Sequence, residues 1–314
     1  MNQKIAIIDC GTNTFNLLIA AKKGVGFETF YEDEISVRIG NKGINKGIIN
    51  NDAINRAISV LKGFNQIIEK YNVLGSNVFA FATSAFRNAQ NGNDVRQEIW
   101  EATNIEVQVI DGTQEAELIF NGVKQAIDFQ ENVLVMDIGG GSVEFIIGNQ
   151  HELLWKNSFE IGAQRLVDKF QPSDPITPDE LSIIIDYLRR EMPLLFDRID
   201  QYKPQLLVGA SGTFETLSNI YCQQNRIAVQ RKNAQLPFDL ISFDKIYQEL
   251  TAKNQEERSL IPGMSLMRVD MIVVASSIIH AVLANGSFNE LRVSHFALKE
   301  GALFDLFDRS IKEN

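Results

Sequence analysis

Cysteine is scarce in this chain: only Cys10 and Cys222 occur, far apart. Two cysteines so scattered fit a reduced, cytosolic protein in which both pack as small apolar side chains. Sequence alone leaves a single bridge between them open. The three histidines, His151, His280 and His295, have no metal-ligand spacing and read as structural residues. Long apolar runs are missing as well. The longest, around Met271–Ala284, contains His280 and two serines, and it falls short of the ~20 residues that span a bilayer. Near the amino terminus Asp9 ends a very short apolar run, which excludes signal-peptide organisation. The expectation is a soluble cytoplasmic protein with no membrane partner. Positive charge is not in excess either. Thirty Lys and Arg stand against forty Asp and Glu, a net charge of −10, which argues against a nucleic-acid polymer as partner. It leaves room for an anionic substrate held by a local cluster of cations and backbone N–H groups. No low-complexity linker interrupts the chain.

At 314 residues, 45% hydrophobic and 22% charged, the composition is that of a globular protein with room for two cores. The most telling stretch is Val133–Gly148. An apolar run ends on Asp137, the bend is Gly139-Gly140-Gly141-Ser142, and a second apolar run leaves carrying Glu144. This predicts a β-hairpin whose turn is bare backbone, open to close approach by a bulky anion. Asp137 beside such a turn calls for a divalent cation between carboxylate and phosphate. No Gly-Lys-Ser/Thr follows, so the motif is not a Walker loop. The pattern occurs twice. Residues 4–20 repeat it at an offset of 128, pairing Asp9 with Asp137, Gly11 with Gly139, Thr12 with Gly140, Thr14 with Ser142 and Asn16 with Glu144. An internal duplication predicts two similar domains whose turns oppose each other across a cleft.

Strand and helix patterns alternate through the rest of the chain, the sign of an α/β layered protein. In the first half, strands are expected at 27–31, 77–82 and 105–110, and helices from Asp52, over about 94–103, and from Asp111 to about 127. In the second half a strand at 151–159 precedes Thr177-Pro178-Asp179-Glu180, where N-cap, N1 proline and N3 glutamate start a helix that ends or kinks near Pro193. Gln205–Gly209 predicts a strand feeding a helix at Ala210-Ser211, Pro262–Ala284 one buried helix, Glu290–Val293 a strand and Lys299–Asp308 a closing helix. The polar segment Asn225–Arg258 carries no clear pattern. The expected domains are residues 1–124 with about 300–314, and residues 125–299.

Several residues are candidates for chemistry. Asp9 and Asp137, at matched strand ends, could hold Mg²⁺ directly or through water, and Glu144 is a further metal or water ligand or a solvent-facing side chain. Three loops offer N–H groups and hydroxyls to phosphate oxygens: Gly11-Thr12-Asn13-Thr14, Gly139-Gly140-Gly141-Ser142, and Gly209 to Thr213 with Ser211 and Gly212. The third also opens a helix, whose N-terminus favours anions. Arg87 follows a strand in a first helical turn, where a cation gains nothing from the helix dipole; it has a phosphate partner, or it is an exposed or salt-bridged arginine. Glu115 is either a first-turn acid favoured by the dipole or a general base for attacking water, with Glu117 as competitor. Arg38, Lys42, Lys46, Arg165, Arg231, Lys232 and Arg268 either line a track for a long polyanion or are solvated surface.

Taken in order, these segments resemble the exopolyphosphatase/guanosine pentaphosphate phosphohydrolase (Ppx/GppA) family. Ile8–Thr14 looks like its first phosphate loop, Ala82–Ala89 like its arginine segment, and Asp111–Ala116 like the segment bearing its catalytic glutamate. Asp137–Glu144 and Gly209–Thr213 resemble the second and third loops, and Pro262–Asp270 and Ser294–Gly301 later signatures. The resemblance implies an α/β fold of two duplicated ribonuclease H-like domains, of the actin, Hsp70, sugar kinase and acetate kinase superfamily, facing an interdomain cleft. It also implies Glu115 as the base activating water, Arg87 as the group neutralising the terminal phosphoryl, and Asp137 with Asp9 and Glu144 organising Mg²⁺. The glycine loops would then grip non-bridging oxygens. With only three histidines and an end at Asn314, the chain resembles the short, two-domain form. The expected activity is release of orthophosphate from linear polyphosphate. The alternatives are hydrolysis of the 5′ γ-phosphate of pppGpp, or a nucleotide-binding sensor, ATPase or kinase. Oligomeric state is open, a homodimer being one partner state.

Overall fold

The computed structural model describes residues 3–228 and 234–312. Two compact units emerge, one of residues 1–122 with 298–314, the other of residues 123–297. Among the described residues no helix is long and apolar enough to cross a membrane.

The first unit is built on β1 (Lys4–Cys10), β2 (Thr14–Lys23) and β3 (Gly26–Ser36), then α1 (Asn51–Lys70), β4 (Val78–Ala82), the single turn α2 (Ser84–Arg87), α3 (Gly92–Thr103), β5 (Val107–Val109) and α4 (Gly112–Ala126). Its sheet has the order β3-β2-β1-β4-β5, with β1, β2 and β3 antiparallel in sequence and β1, β4 and β5 parallel. Strand residues alternate between faces, and here both faces are covered. Ala6, Ile8, Phe15, Leu17 and Ile19 pack with Ile54, Leu61, Phe64, Val95 and Ile99, which come from α1 and α3. Ile7, Leu18 and Ala20 face Ala302, Leu303 and Phe307. That double burial is why β1 and β2 read as near-continuous apolar runs.

The second unit continues with β6 (Val133–Ile138), β7 (Val143–Gly148), β8 (Leu153–Phe159), α5 (Ala163–Phe170), α6 (Pro178–Glu191), α7 (Pro193–Tyr202), β9 (Leu206–Ala210) and α8 (Ser211–Gln224). After β10 (Gln235–Leu236) come α9 (Leu240–Ala252), α10 (Gln255–Ser259), α11 (Ile272–Leu283) and β11 (Glu290–Ser294), and α12 (Leu298–Lys312) returns to the first unit. Its sheet runs β10-β11-β9-β6-β7-β8, antiparallel from β6 through β8 and parallel across β6, β9 and β11. Read from β8, that is the order and polarity of the first sheet with β10 added at the edge. Two ribonuclease H-like α/β units in one chain bear out the duplication.

The capping box of α6 is formed, with Thr177 N–H donating to Glu180 Oε2 at 2.9 Å and Glu180 N–H donating to Thr177 Oγ1 at 3.3 Å. The helix ends at Glu191, and Pro193 opens α7 at its N1 position. The Ser173 hydroxyl, ahead of the Thr177 and Ser173 amides, holds the Glu180 carboxyl down at about 2 against an ordinary 4.5. A depressed carboxylate stabilises the fold above its unfolded pKa and stops doing so as pH falls through the folded value. Glu180→Gln is therefore expected to flatten the stability profile between about pH 4.5 and 2, read as denaturant midpoints across that range. A variant profile as steep as the wild type's would refute the assignment.

One expectation needs correcting, and two stretches were not foreseen. Residues 262–271 are turns rather than the start of one long helix, and only Ile272–Leu283 is helical. Gly263, at φ +93° in the left-handed region, breaks the continuity. The unassigned segment 225–258 holds α9 and α10, each started by an N-cap, Asp239 and Asn254, that accepts from a first-turn amide. No expectation covered α5. Arg258, 4% exposed, ties these parts together by pairing with Asp174 at 2.9 Å and donating to Val269 O at 3.3 Å.

Candidate active site

Both glycine-containing turns close in the same way. Gly11 N–H donates to Thr14 O at 3.1 Å, and Gly139 N–H donates to Ser142 O at 3.0 Å. Asp9 lies opposite Asn16 in the β1–β2 pair, and Asp137 opposite Glu144 in the β6–β7 pair. The repeat in sequence is thus a repeat in strand register.

In the second unit the end of β6 is a crowded polar corner. Asp137 is 6% exposed and Glu144 1%, so Glu144 is not a solvent-facing strand residue. Ser211 Oγ donates to Asp137 Oδ2 at 2.6 Å, and Ser158 Oγ on β8 donates to Glu144 Oε1 at 2.7 Å. Because β9 runs parallel to β6 with Ala210 beside Asp137, the loop from Gly209 to Thr213 emerges next to the turn from Gly139 to Ser142. Carboxyl ends of neighbouring parallel strands are where α/β sheets hold their ligands. Ser211 sits at φ +65°, a left-handed conformation that costs a non-glycine residue energy. Its hydroxyl bond to Asp137 offsets that cost. The sequence marked Ser211 as a phosphate ligand; its proton is committed to Asp137. The Arg268 guanidinium packs directly on Gly212, where a Cβ would lie 1.7 Å from Nη2.

In the first unit Asp9 ends β1, with Asn16 Nδ2 at 3.4 Å from its Oδ2. Neighbouring β4 brings Ala82 beside Cys10 and leads through Thr83 into α2. Arg87 closes that turn, and its Nη1 donates to Glu115 Oε2 at 2.9 Å and to Ile110 O at 3.2 Å. The Arg87 and Glu115 side chains are 17% and 8% exposed, so the pair is held largely away from water. Asp111 caps α4, accepting from the Thr113 and Gln114 amides at 2.8 Å each. Those bonds, led by the one from the Thr113 hydroxyl, hold its carboxyl below the usual range. The cap sets the first turn of α4 so that Glu115 is buried while Glu117, two residues on, is exposed. Of the two expectations for Arg87, the salt bridge is the one the structure contains.

The basic residues do not form one class. Arg38 is bound through its backbone, its N–H donating to Asn13 O at 2.8 Å. Arg165 Nε donates to Gly141 O at 3.0 Å. Arg231 and Lys232 lie outside the described residues. Sequence reasoning missed both Ser158 and the Arg165 contact. A signal for the latter existed in Ile161-Gly162-Ala163 followed by Leu166, Val167 and Phe170, a short amphipathic helix after a glycine.

Among the described residues no three His, Cys, Asp or Glu side chains group into a metal cage. The corner at Asp137 and Glu144 is nevertheless made of hard oxygens, two carboxylates and two hydroxyls, the donor chemistry of Mg²⁺. That ion ordinarily takes one or two carboxylates and completes its shell with water and substrate phosphate.

Comparison with known proteins follows the same lines. An exopolyphosphatase from Cytophaga hutchinsonii superposes with a TM-score of 0.94 at 42% identity, covering 98% of each chain. The Ppx/GppA member of Aquifex aeolicus gives 0.80 at 26%, covering 100% of this chain and 99% of that one. Exopolyphosphatase 1 of Mycobacterium leprae is 27% identical over 312 residues, 97% of this chain and 90% of its own. A bifunctional 3-dehydroquinate synthase/phosphatase of Fusobacterium nucleatum is 37% identical over 172 residues, which make up 52% of this chain and 26% of that longer protein. The Ppx/GppA phosphatase family model matches residues 18–310, and the chain belongs to that family.

Proposed function

We propose that this hydrolase is an exopolyphosphatase that removes the terminal phosphoryl group of linear inorganic polyphosphate as orthophosphate. The observation that carries this is the buried Arg87–Glu115 pair, 2.9 Å apart, at the strand ends of the first unit. The names of its relatives support it.

In this reading Glu115 is the general base. It accepts a proton from a water whose oxygen attacks the terminal phosphorus. The bond from that phosphorus to the bridging oxygen breaks, and the shortened chain leaves with the electron pair on that oxygen. Arg87, a fork of five donors, neutralises the three equatorial oxygens of the phosphoryl group, and its bond to Glu115 keeps the base aimed. The amides of Thr12 to Thr14 in the first unit, and in the second those of Gly140 to Ser142 with Gly212 and Thr213, hold non-bridging oxygens, while Ser211 orients Asp137. Asp137 and Glu144 of the second unit, and Asp9 of the first, are the carboxylates that would hold Mg²⁺, which when bound supplies positive charge to phosphate oxygens. Such a reaction depends on positioning and electrostatics more than on covalent chemistry.

The test is orthophosphate release from linear polyphosphate, pppGpp and ATP at matched anhydride concentration, with Mg²⁺ or EDTA. Polyphosphate is expected to be the best substrate, with release stopped by EDTA and restored by Mg²⁺. Faster release from pppGpp would replace this function with the guanosine pentaphosphate one, and release from ATP alone would overturn both.

A further inference from the structure

The turn from Gly139 to Ser142 does not hold its own shape. Gly139 O accepts from Ala163 N–H at 3.0 Å, Gly140 O from Arg165 N–H at 3.1 Å, and Gly141 O from Gly162 N–H at 3.1 Å. Gly141 O also accepts from Arg165 Nε at 3.0 Å. These donors come from the start of α5, whose first amides have no partner inside the helix. The approach is close enough that a Cβ on Gly162 would lie 2.5 Å from the carbonyl carbons of Gly140 and Gly141.

A consequence follows from peptide geometry. In a trans peptide the carbonyl of one residue and the N–H of the next point in opposite directions, and Asp174–Pro175 is the cis bond of the described residues. With three successive carbonyls turned to α5, the N–H groups of Gly140, Gly141 and Ser142 turn away from it together. Successive amides facing one way form an anion-binding nest. Arg165 is the side chain in this scaffold. It is 15% exposed and anchored through Nη2 to Glu160 Oε2 at 2.6 Å.

The first unit reaches the same result by another route. Thr12 O accepts from Gly40 N–H at 3.2 Å, and Asn13 O from Val37 and Arg38 N–H at 2.9 and 2.8 Å. Arg56 on α1 in turn donates to Val37 O at 2.8 Å and Arg38 O at 3.1 Å. Two unrelated local structures, a helix start and a loop, fix the carbonyls of the two repeated turns. Holding those peptide planes is a requirement of the turn rather than a packing accident.

We propose that Arg165, braced by Glu160, is a positioning residue: it fixes the peptide planes of Gly139 to Ser142 so that their amides are set for phosphate oxygens before substrate arrives. It does not belong to a solvated track for a polyanion. This rests on the phosphatase reading, and inorganic phosphate serves as a probe that does not need turnover. Arg165→Ala and Arg165→Lys are both expected to raise, by about tenfold, the phosphate concentration giving half-maximal thermal protection and the KM for polyphosphate. kcat should change much less. Lysine fails because it lacks the rigid planar fork that meets Gly141 O through Nε and Glu160 through Nη2. Glu160→Gln, which keeps an acceptor but removes its charge, should raise both the half-protection concentration and KM by a smaller factor than either Arg165 variant. Backbone hydrogen exchange over 139–146, measured on the folded lysine variant, should quicken. A purely structural role would lower the melting temperature and leave phosphate affinity and KM unchanged. That result, or wild-type protein that phosphate does not protect, would overturn the proposal. Wild-type protection by phosphate without release from polyphosphate would instead sink the substrate assignment and leave this one standing.

Discussion

Glu115→Gln is expected to lower orthophosphate release by about 10²–10⁴-fold, the range for loss of a general base, with the fold intact. Glutamine preserves shape and an acceptor for Arg87 Nη1, so the loss falls on proton transfer. Arg87→Ala should cost a comparable factor for two reasons: the phosphoryl charge loses its counterion, and Glu115, buried beside it, loses the donor that orients it. Because the residues are in direct contact, the two losses should not add. The double variant is expected to be little worse than the poorer single one, measured as initial rates with circular dichroism as a check on folding. Full additivity would mean that the pair acts as two independent groups. Glu117→Gln is the control, since that side chain is exposed and should retain activity.

Gly301→Ala should unfold the first unit's packing rather than touch its chemistry. A Cβ there would lie 1.7 Å from Leu118 O, 2.6 Å from Leu118 C and 2.9 Å from Gly122 N, all backbone atoms of α4. A flexible side chain could swing aside, but a helix backbone cannot. The two helices must separate, and with them the layer in which Ala302, Leu303 and Phe307 cover Ile7, Leu18 and Ala20. The expected destabilisation is about 3 kcal/mol or more, the upper end for overpacking, with activity falling as well because α4 carries Glu115. Gly63 on α1 meets nothing within 4 Å, so Gly63→Ala should instead stabilise by roughly 0.5–1 kcal/mol. Denaturant midpoints that ranked the two variants the other way would contradict this account.

The features legible in the sequence are those that local chemistry decides. Aspartate, glycines and a hydroxyl between apolar runs gave both hairpins because a tight turn needs those residues wherever it occurs. Thr177, Pro178 and Glu180 gave the start of α6 because an N-cap is a contact within four residues. What escaped is decided at longer range. The eight-residue α5 shows its apolar spacing only at Leu166, Val167 and Phe170, too short a run to stand out, and its first amides bond to the carbonyls of Gly139 to Gly141, far back in the sequence. Residues 262–271 look helical by composition, but their backbone is set by Gly263 and by Arg258, reaching across from α10. The α9 pattern, Phe243, Ile246, Tyr247 and Leu250, was present at helical spacing but masked by polar neighbours. At the site, residue types named Asp137, Glu144, Arg87 and Glu115 as candidates. The bond from Ser211 to Asp137 spans 74 positions, and no local pattern could announce it.

The most direct measurement is a phosphorus-NMR time course on linear polyphosphate of defined length with Mg²⁺, run with the wild type beside Glu115→Gln. Orthophosphate should appear from the first turnovers while the number of chain ends, read from the terminal phosphate signal, does not rise, and the variant should be nearly silent. A rise in chain ends with the wild type, or an unchanged rate from Glu115→Gln, would contradict terminal hydrolysis driven by that glutamate.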